Sequence, residues 1–270
     1  MNQDIFDLSG KIIILTGGLG LIGLNYVKAL TQKGAIVNVL DIRDKKQASQ
    51  ILNEKIPNEL LANVHYHRVD ITDKKELEKA RKTIMLRFKR IDVLINNAAL
   101  NPKVEKSDVK LKSTGNTFEE LGLDSWNKEM AVNLTGTMLC CQVFGSIMKS
   151  GSSIINIASM YGVTAPDQSI YQKGFIKPAT YGVSKAGVIN LTKYLSTYWA
   201  KKAIRVNCMV LGGVYAGQNE EFLKKYAART PLGRMAQADE FNGLLIYLSS
   251  DASAYATGAV FTVDGGWTAW

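Results

Sequence analysis

The stretch Thr16-Gly17-Gly18-Leu19-Gly20-Leu21-Ile22-Gly23 decides how this chain is read. Before it runs the apolar segment Lys11–Leu15. After it, Leu24–Leu30 has apolar residues at helical spacing. A strand, a tight glycine turn and a helix start in that order form a pyrophosphate site. Glycine lets the backbone approach the phosphates, and the N–H groups of the first helical turn point at the anion. Asp41 ends the next strand, where a carboxylate can accept hydrogen bonds from adenosine ribose hydroxyls and would repel a 2′-phosphate. Arg43, two residues beyond Asp41 and next to Ile42, could partly offset that repulsion.

Working outward, apolar runs alternate with helical patterns over most of the 270 residues. Strands are predicted at 11–16, 36–41, 64–70, 93–96, 153–158, 205–210 and 260–263. Helices are predicted near 21–33, 44–55, 74–88, 125–149, 181–201 and 238–249, with a short one around 220–228. Asp73 and Asp124 are expected as N-caps, and Gly34 as the cap after the first helix. The pattern predicts an α/β fold with a doubly wound parallel sheet of about seven strands and helices on both faces. Connections at 99–118 and 160–179 are far longer than ordinary turns and leave the strand edge where ligands bind. Together with 212–230 they are the expected substrate loops.

Composition narrows the function classes. The net charge is +9, from 33 basic and 24 acidic residues. No basic stripe interleaved with aromatics argues for nucleic acid. Lys103, Lys106, Lys110 and Lys112 cluster in the first long loop, where they could help hold an anionic or highly polar substrate. No apolar run is long enough to cross a membrane, and the N-terminus carries no secretory pattern, so a cytoplasmic location is expected. Cys140, Cys141 and Cys208 form neither a disulfide framework nor a metal site, and are read as core residues.

Further along, Asp70 and Ile71 follow the third strand, where a carboxylate and a backbone N–H could meet adenine. A loop anchor is the competing role for Asp70. Asn96-Asn97-Ala98-Ala99 follow the fourth strand, where small residues leave room for a flat ligand. Tyr181 and Lys185 stand one helical turn apart, and a cation there would favour the phenolate and fit Tyr181 for proton transfer. Tyr161 and Tyr171 have no lysine four residues on. The combination predicts a nicotinamide-dependent oxidoreductase, NAD-using rather than NADP-using, with a small-molecule substrate and no metal.

This ordered set resembles the short-chain dehydrogenase/reductase family across essentially the whole chain, which implies a single-domain, Rossmann-type fold over 1–270. It comprises the glycine turn at 16–23, Asp41, Asp70, the Asn96–Ala99 segment, Asn133, Ser159, Tyr181 with Lys185, and T-G-A-V-F-T-V-D-G-G at 257–266. The resemblance implies that Ser159 orients and polarises the substrate oxygen and that Tyr181 transfers its proton. It further implies that Lys185 holds the nicotinamide ribose and that Asn133 sustains a water-linked proton relay. Gly212 and Val214 are implied next to the nicotinamide amide. A homotetramer is also implied, and the apolar faces of the helices at 125–149 and 181–201, Tyr198 and Trp199 included, suit its interfaces.

The chain departs from the family at several points. Its glycine spacing resembles the sugar-nucleotide branch, in which an epimerase or dehydratase would be expected, although the chain is too short for that branch's extra domain. Ser159 and Tyr181 are unusually far apart, so the loop between them carries an insertion. A non-catalytic dinucleotide sensor would need no proton donor and so no serine, tyrosine and lysine. Segment 156–218, together with Ala98–Val104, resembles oxidoreductases encoded with bacterial surface-glycan genes, flagellin-modification enzymes among them. This favours a sugar, polyol or sugar-derived alcohol as substrate.

Overall fold

In the computed structural model, which describes residues 4–101 and 117–270, seven strands form one parallel sheet. They are β1 (Ile12–Thr16), β2 (Ile36–Asp41), β3 (Val64–Arg68), β4 (Val93–Asn96), β5 (Ser153–Ser159), β6 (Arg205–Leu211) and β7 (Val260–Val263). Their order is β3-β2-β1-β4-β5-β6-β7, so the winding reverses between β1 and β4. A crevice opens there beyond the strand C-termini, the position where such sheets bind ligands.

Parallel strands covered on both faces must be apolar on both, and β1 is buried throughout. The two-residue period of the strand then divides its side chains between two cores. Ile13 and Leu15 join one cluster with Val39, Ile95 and Met209, and Ile12 and Ile14 join the other with Leu40, Leu94 and Ile154. Helices α1 (Leu21–Gln32) and α2 (Lys45–Lys55) cover the first face, α1 through Tyr26, Val27 and Leu30. A one-turn helix, α3 (Asn58–Leu61), leads into β3. Helix α4 (Lys74–Phe88) covers the second face through Leu77, Ala80 and Ile84.

The next helix runs from Leu123 to Gly145 in alternating windings: α5 (Leu123–Met130), wide π-type turns over Ala131–Gly136, α6 (Thr137–Cys140) and a second wide stretch to Gly145. It is followed by α7 (Ala179–Tyr198), α8 (Glu220–Arg229) and α9 (Asn242–Ser249). Cys140, Cys141 and Cys208 are buried free thiols. Among the described residues no helix is long and apolar enough to cross a membrane.

Several expected details differ. Asp73 caps α4 by accepting from the N–H groups of Lys75 and Glu76. Asp124, by contrast, lies inside the first turn of α5, because that helix starts at Leu123 behind Gly122. There its charge still favours the helix N-terminus. Strand β3 stops at Arg68 because Asp70 turns the chain, its Oδ1 accepting from the Thr72 N–H at 2.9 Å and hydroxyl at 2.7 Å. Gly34, with φ +83, follows the Lys33 cap of α1 as a left-handed stop. Trp199, read as an interface residue, is instead 5% exposed and sits in the second core beside Gly145. Tyr194 and Tyr198 of the same helix are exposed and stack on each other. Residues Lys103–Lys112 lie outside the described residues.

Candidate active site

One cavity of about 1130 Å³ runs along the strand C-termini, from the glycine turn to the start of α7. Gly17, Gly20, Leu21, Ile22 and Gly23 are on its wall. Gly17 has φ +64, and a side chain there would bring its Cβ to 2.7 Å from Ala98 Cα. A Cβ on Gly23 would run into the Gly17 carbonyl and stand 2.7 Å from Gly18 Cα. The turn is therefore packed as tightly as backbone allows. No side chain caps α1 behind Gly20, so the first N–H groups of α1 face an anion site. Gly18 and Leu19 turn inward: Gly18 packs on Val39, and Leu19 is buried with its N–H on Asp41 Oδ2 at 3.2 Å.

The rest of this end is braced from neighbouring strands. Asp41, Ile42 and Arg43 line the cavity, with Arg43 Nη1 3.2 Å from Asp41 Oδ1. Tyr66 of β3, which the sequence reading missed, donates its hydroxyl to the carbonyls of Asp41 and Arg43 and holds that corner. Asp70 and Ile71 are on the wall as well. Asn97 donates through Nδ2 to the carbonyls of Thr16 and Gly17, both at 3.1 Å, and tightens the turn from β4. Ala98 and Ala99 follow on the wall. The bare glycine cradle, the uncapped helix start and a carboxylate at the end of β2 fit a nicotinamide dinucleotide. The cavity volume also leaves room for a substrate beside it.

At the other end, Ser159 closes β5 and shares the cavity wall with Tyr181, whose phenol its hydroxyl draws down. Its Oγ also accepts from the Tyr161 N–H at 3.2 Å. Tyr181 enters in the first turn of α7 and Lys185 follows one turn later. Both are buried and both line the cavity. Burial pushes the Tyr181 phenol up to about 12 against the lowering bond from Ser159. Lys185 Nζ donates one of its three N–H groups to the Ile157 carbonyl at 2.8 Å. It stands 5.9 Å from the centre of the tyrosine ring. Burial draws the Lys185 ammonium down to about 8.

Asn133 is fully buried in the wide turns after α5, off the cavity wall. Its Oδ1 accepts from the Leu100 N–H at 2.7 Å, and its Nδ2 donates to the Leu100 carbonyl and to Ser184 Oγ. It thus ties the chain leaving β4 to α7. Gly212 and Val214 reach the wall beyond β6, and Val214 pairs with Ala236. Tyr161 and Tyr171 hydrogen-bond each other at 2.8 Å, and burial raises both phenols, so they stay neutral. The residue that sequence reading passed over here is Lys177, a buried lysine on the wall. Its signal was its spacing, four residues before Tyr181 as Lys185 is four after.

Comparison with known proteins agrees with this arrangement. A family model described as enoyl-(acyl carrier protein) reductase matches residues 20–268. A D-threitol dehydrogenase of Mycolicibacterium smegmatis is 30% identical over 273 residues, covering 97% of this chain and 95% of that protein. An NAD-dependent glycerol dehydrogenase of Listeria innocua is 32% identical, with 97% and 96% covered. Another relative is longer, and the chain spans 44% of it. A crystal structure of a short-chain dehydrogenase from Leptospira borgpetersenii with bound NAD+ superposes with a TM-score of 0.82. It is 31% identical, with 99% of this chain and 96% of that one covered. A seven-stranded parallel sheet, a glycine cradle facing a serine, tyrosine and lysine, and these relatives place the chain in the short-chain dehydrogenase/reductase family, as an NAD(P)-dependent oxidoreductase.

Proposed function

We propose that the protein is an NAD(H)-dependent dehydrogenase that interconverts a secondary alcohol and a carbonyl on a sugar, polyol or sugar-derived substrate. The observation that carries this is the convergence of Ser159, Tyr181 and Lys185 on the wall of a cavity that continues to the glycine turn. Oxidising the alcohol removes a hydride from its carbon and a proton from its oxygen. The nicotinamide, when bound, takes the hydride. Ser159 donates to the substrate oxygen and fixes its direction, and Tyr181 receives the proton. Lys185, one turn further on, supports the phenolate electrostatically and reaches toward the cofactor ribose. In the reverse direction Tyr181 returns the proton to the carbonyl oxygen.

NAD(H) is preferred because the Asp41 carboxylate faces the position of a 2′-phosphate, and the nearest cation, Arg43, is already paired with it. The substrate end is the region around 160–179 and 212–230, with the chain leaving β4 at 99–101 as its third side. The polyol class follows from the relatives named for threitol and glycerol, set beside the polar groups on this wall. The test is an absorbance assay of polyols, sugar alcohols and sugar acids with NAD+ and with NADP+. Turnover of at least one class is expected, with kcat/KM higher for NAD+. A preference for NADP+ would refute the role given to Asp41, and no turnover of any alcohol would refute the proposed activity.

A further inference from the structure

Tyr161, Tyr171, Tyr181 and Tyr226 all line the cavity. Each phenol carries one O–H donor and can accept in turn. Tyr226 uses both capacities inside the protein: its hydroxyl approaches Met160 Sδ at 3.8 Å and accepts the Gly213 N–H at 2.7 Å. Tyr181 is the proton-transfer group. Tyr161 and Tyr171 hydrogen-bond each other, their hydroxyl oxygens 2.8 Å apart, and neither hydroxyl has another hydrogen-bond partner among the described residues. One bond between two donors leaves one proton over, whichever hydroxyl gives.

The pair is held in place from several sides. The Tyr161 N–H donates to Ser159 Oγ at 3.2 Å. A Cβ on Gly182 would stand 2.8 Å from the Tyr161 carbonyl oxygen, and one on Gly162 would stand 2.7 Å from the Lys185 carbonyl carbon. The turn after β5 is therefore pressed onto the helix that carries Tyr181 and Lys185. Tyr171 comes from the long connection before α7, and its ring packs on Phe175 and on Phe222 of α8, with centroids 5.2 and 5.6 Å away. Its hydroxyl cannot swing to another acceptor without breaking those contacts. Both tyrosines are at least nine-tenths buried, at 9% and 8% exposed, and a donor so covered is costly to leave unpaired. An acceptor entering the cavity satisfies it. Burial, and after it the nearby Tyr181 charge, push the Tyr171 phenol up to about 12 against the lowering bond from Tyr161. Tyr171 thus keeps its proton at the pH where Tyr181 works.

We propose that Tyr171 is a specificity-determining residue whose hydroxyl donates to a second hydroxyl oxygen of the substrate while Tyr181 acts on the first, so that diols and polyols are selected over simple secondary alcohols. This rests on the oxidoreductase reading above and gives its substrate class a residue. Tyr161 takes the role of a positioning residue, steadying the Tyr171 hydroxyl from the serine turn. A site built to bond a substrate hydroxyl rejects the analogue that lacks it, because the buried donor is then left unpaired.

The experiment follows NAD+ reduction with 2-butanol, butane-2,3-diol and threitol, which share a secondary carbinol and differ in the hydroxyls beside it. The wild type should favour the diol and threitol over 2-butanol by at least about tenfold in kcat/KM. Tyr171→Phe keeps the ring and its packing and removes only the hydroxyl. It should cut the ratio of kcat/KM for diol over 2-butanol by about ten- to a hundredfold, mostly through KM. Tyr161→Phe, which leaves the Tyr171 hydroxyl in place, should cut that ratio less. NADH titration by fluorescence reports whether each variant is folded, and the wild-type series stands without any variant. A Tyr171→Phe enzyme that loses activity on both alcohols alike overturns the inference, since a merely structural ring would do the same. A larger loss of the ratio in Tyr161→Phe than in Tyr171→Phe overturns the assignment to Tyr171. A wild type that oxidises 2-butanol as well as the diol sinks this inference alone, whereas absence of all alcohol turnover sinks the proposed function and this inference with it.

Discussion

Tyr181 shows how much of a residue's chemistry is set by what covers it. Its hydroxyl is an ordinary phenol, yet burial drives it up to about 12 while the bond from Ser159 works the other way. Tyr181→Phe deletes the proton acceptor and little else. Alcohol oxidation should fall by about 10²–10⁴-fold, with NADH binding nearly unchanged in a fluorescence titration. A variant retaining a tenth of the wild-type rate would contradict the role. The raised phenol also fixes the sign of the pH dependence. In the oxidation direction Tyr181 must first be deprotonated, and below its pKa the phenolate fraction grows with pH, so kcat/KM for oxidation should climb between pH 7 and 10. Carbonyl reduction needs the protonated phenol and should show no such climb. An oxidation profile that falls over this range would remove Tyr181 as the base.

Among the elements, the β1–α1 turn is the least tolerant of change. A methyl at Gly23 has nowhere to go between the Gly17 carbonyl and Gly18 Cα, so the turn must open. Gly23→Ala should destabilise the fold by about 1–3 kcal/mol, a loss of a few degrees in Tm. NADH affinity should fall at least tenfold with it. Calorimetry and a binding titration check both, and an unchanged NADH affinity would show that the turn does not cradle the dinucleotide. The helix from α5 onward makes a different point. Its wide turns put Asn133 on the chain leaving β4 rather than on the cavity wall, a position that ideal helical spacing would not forecast.

The whole molecule presents an exposed pair, Tyr194 and Tyr198, whose rings stack 5.9 Å apart on the outer face of α7. Large aromatics on one face of a long helix suit a self-complementary interface. A homotetramer is the expected state in solution. Light scattering should return a mass near four times 29.7 kDa, and Tyr194→Asp with Tyr198→Asp should lower it. A single monomeric species for the wild type would contradict this.

What the sequence determined by itself was local or periodic. The glycine turn, the alternation of strand and helix, the Asp73 cap and the Tyr181–Lys185 spacing depend on neighbours a few residues away, so pattern is enough to find them. Tertiary packing decided the rest. The meeting of Ser159 and Tyr181 on one cavity wall and the Tyr66 brace under Asp41 join residues from different strands and helices. Trp199 and Tyr198 are adjacent in the chain, yet one fills the core and the other faces solvent, because the helix turns only one of them toward Gly145. Lys177 and Lys103 are the same residue type to a sequence reader. Only the fold shows that Lys177 has been drawn out of water onto the wall beside Tyr181, because burial depends on the loops and helix packed around it and not on its neighbours in sequence.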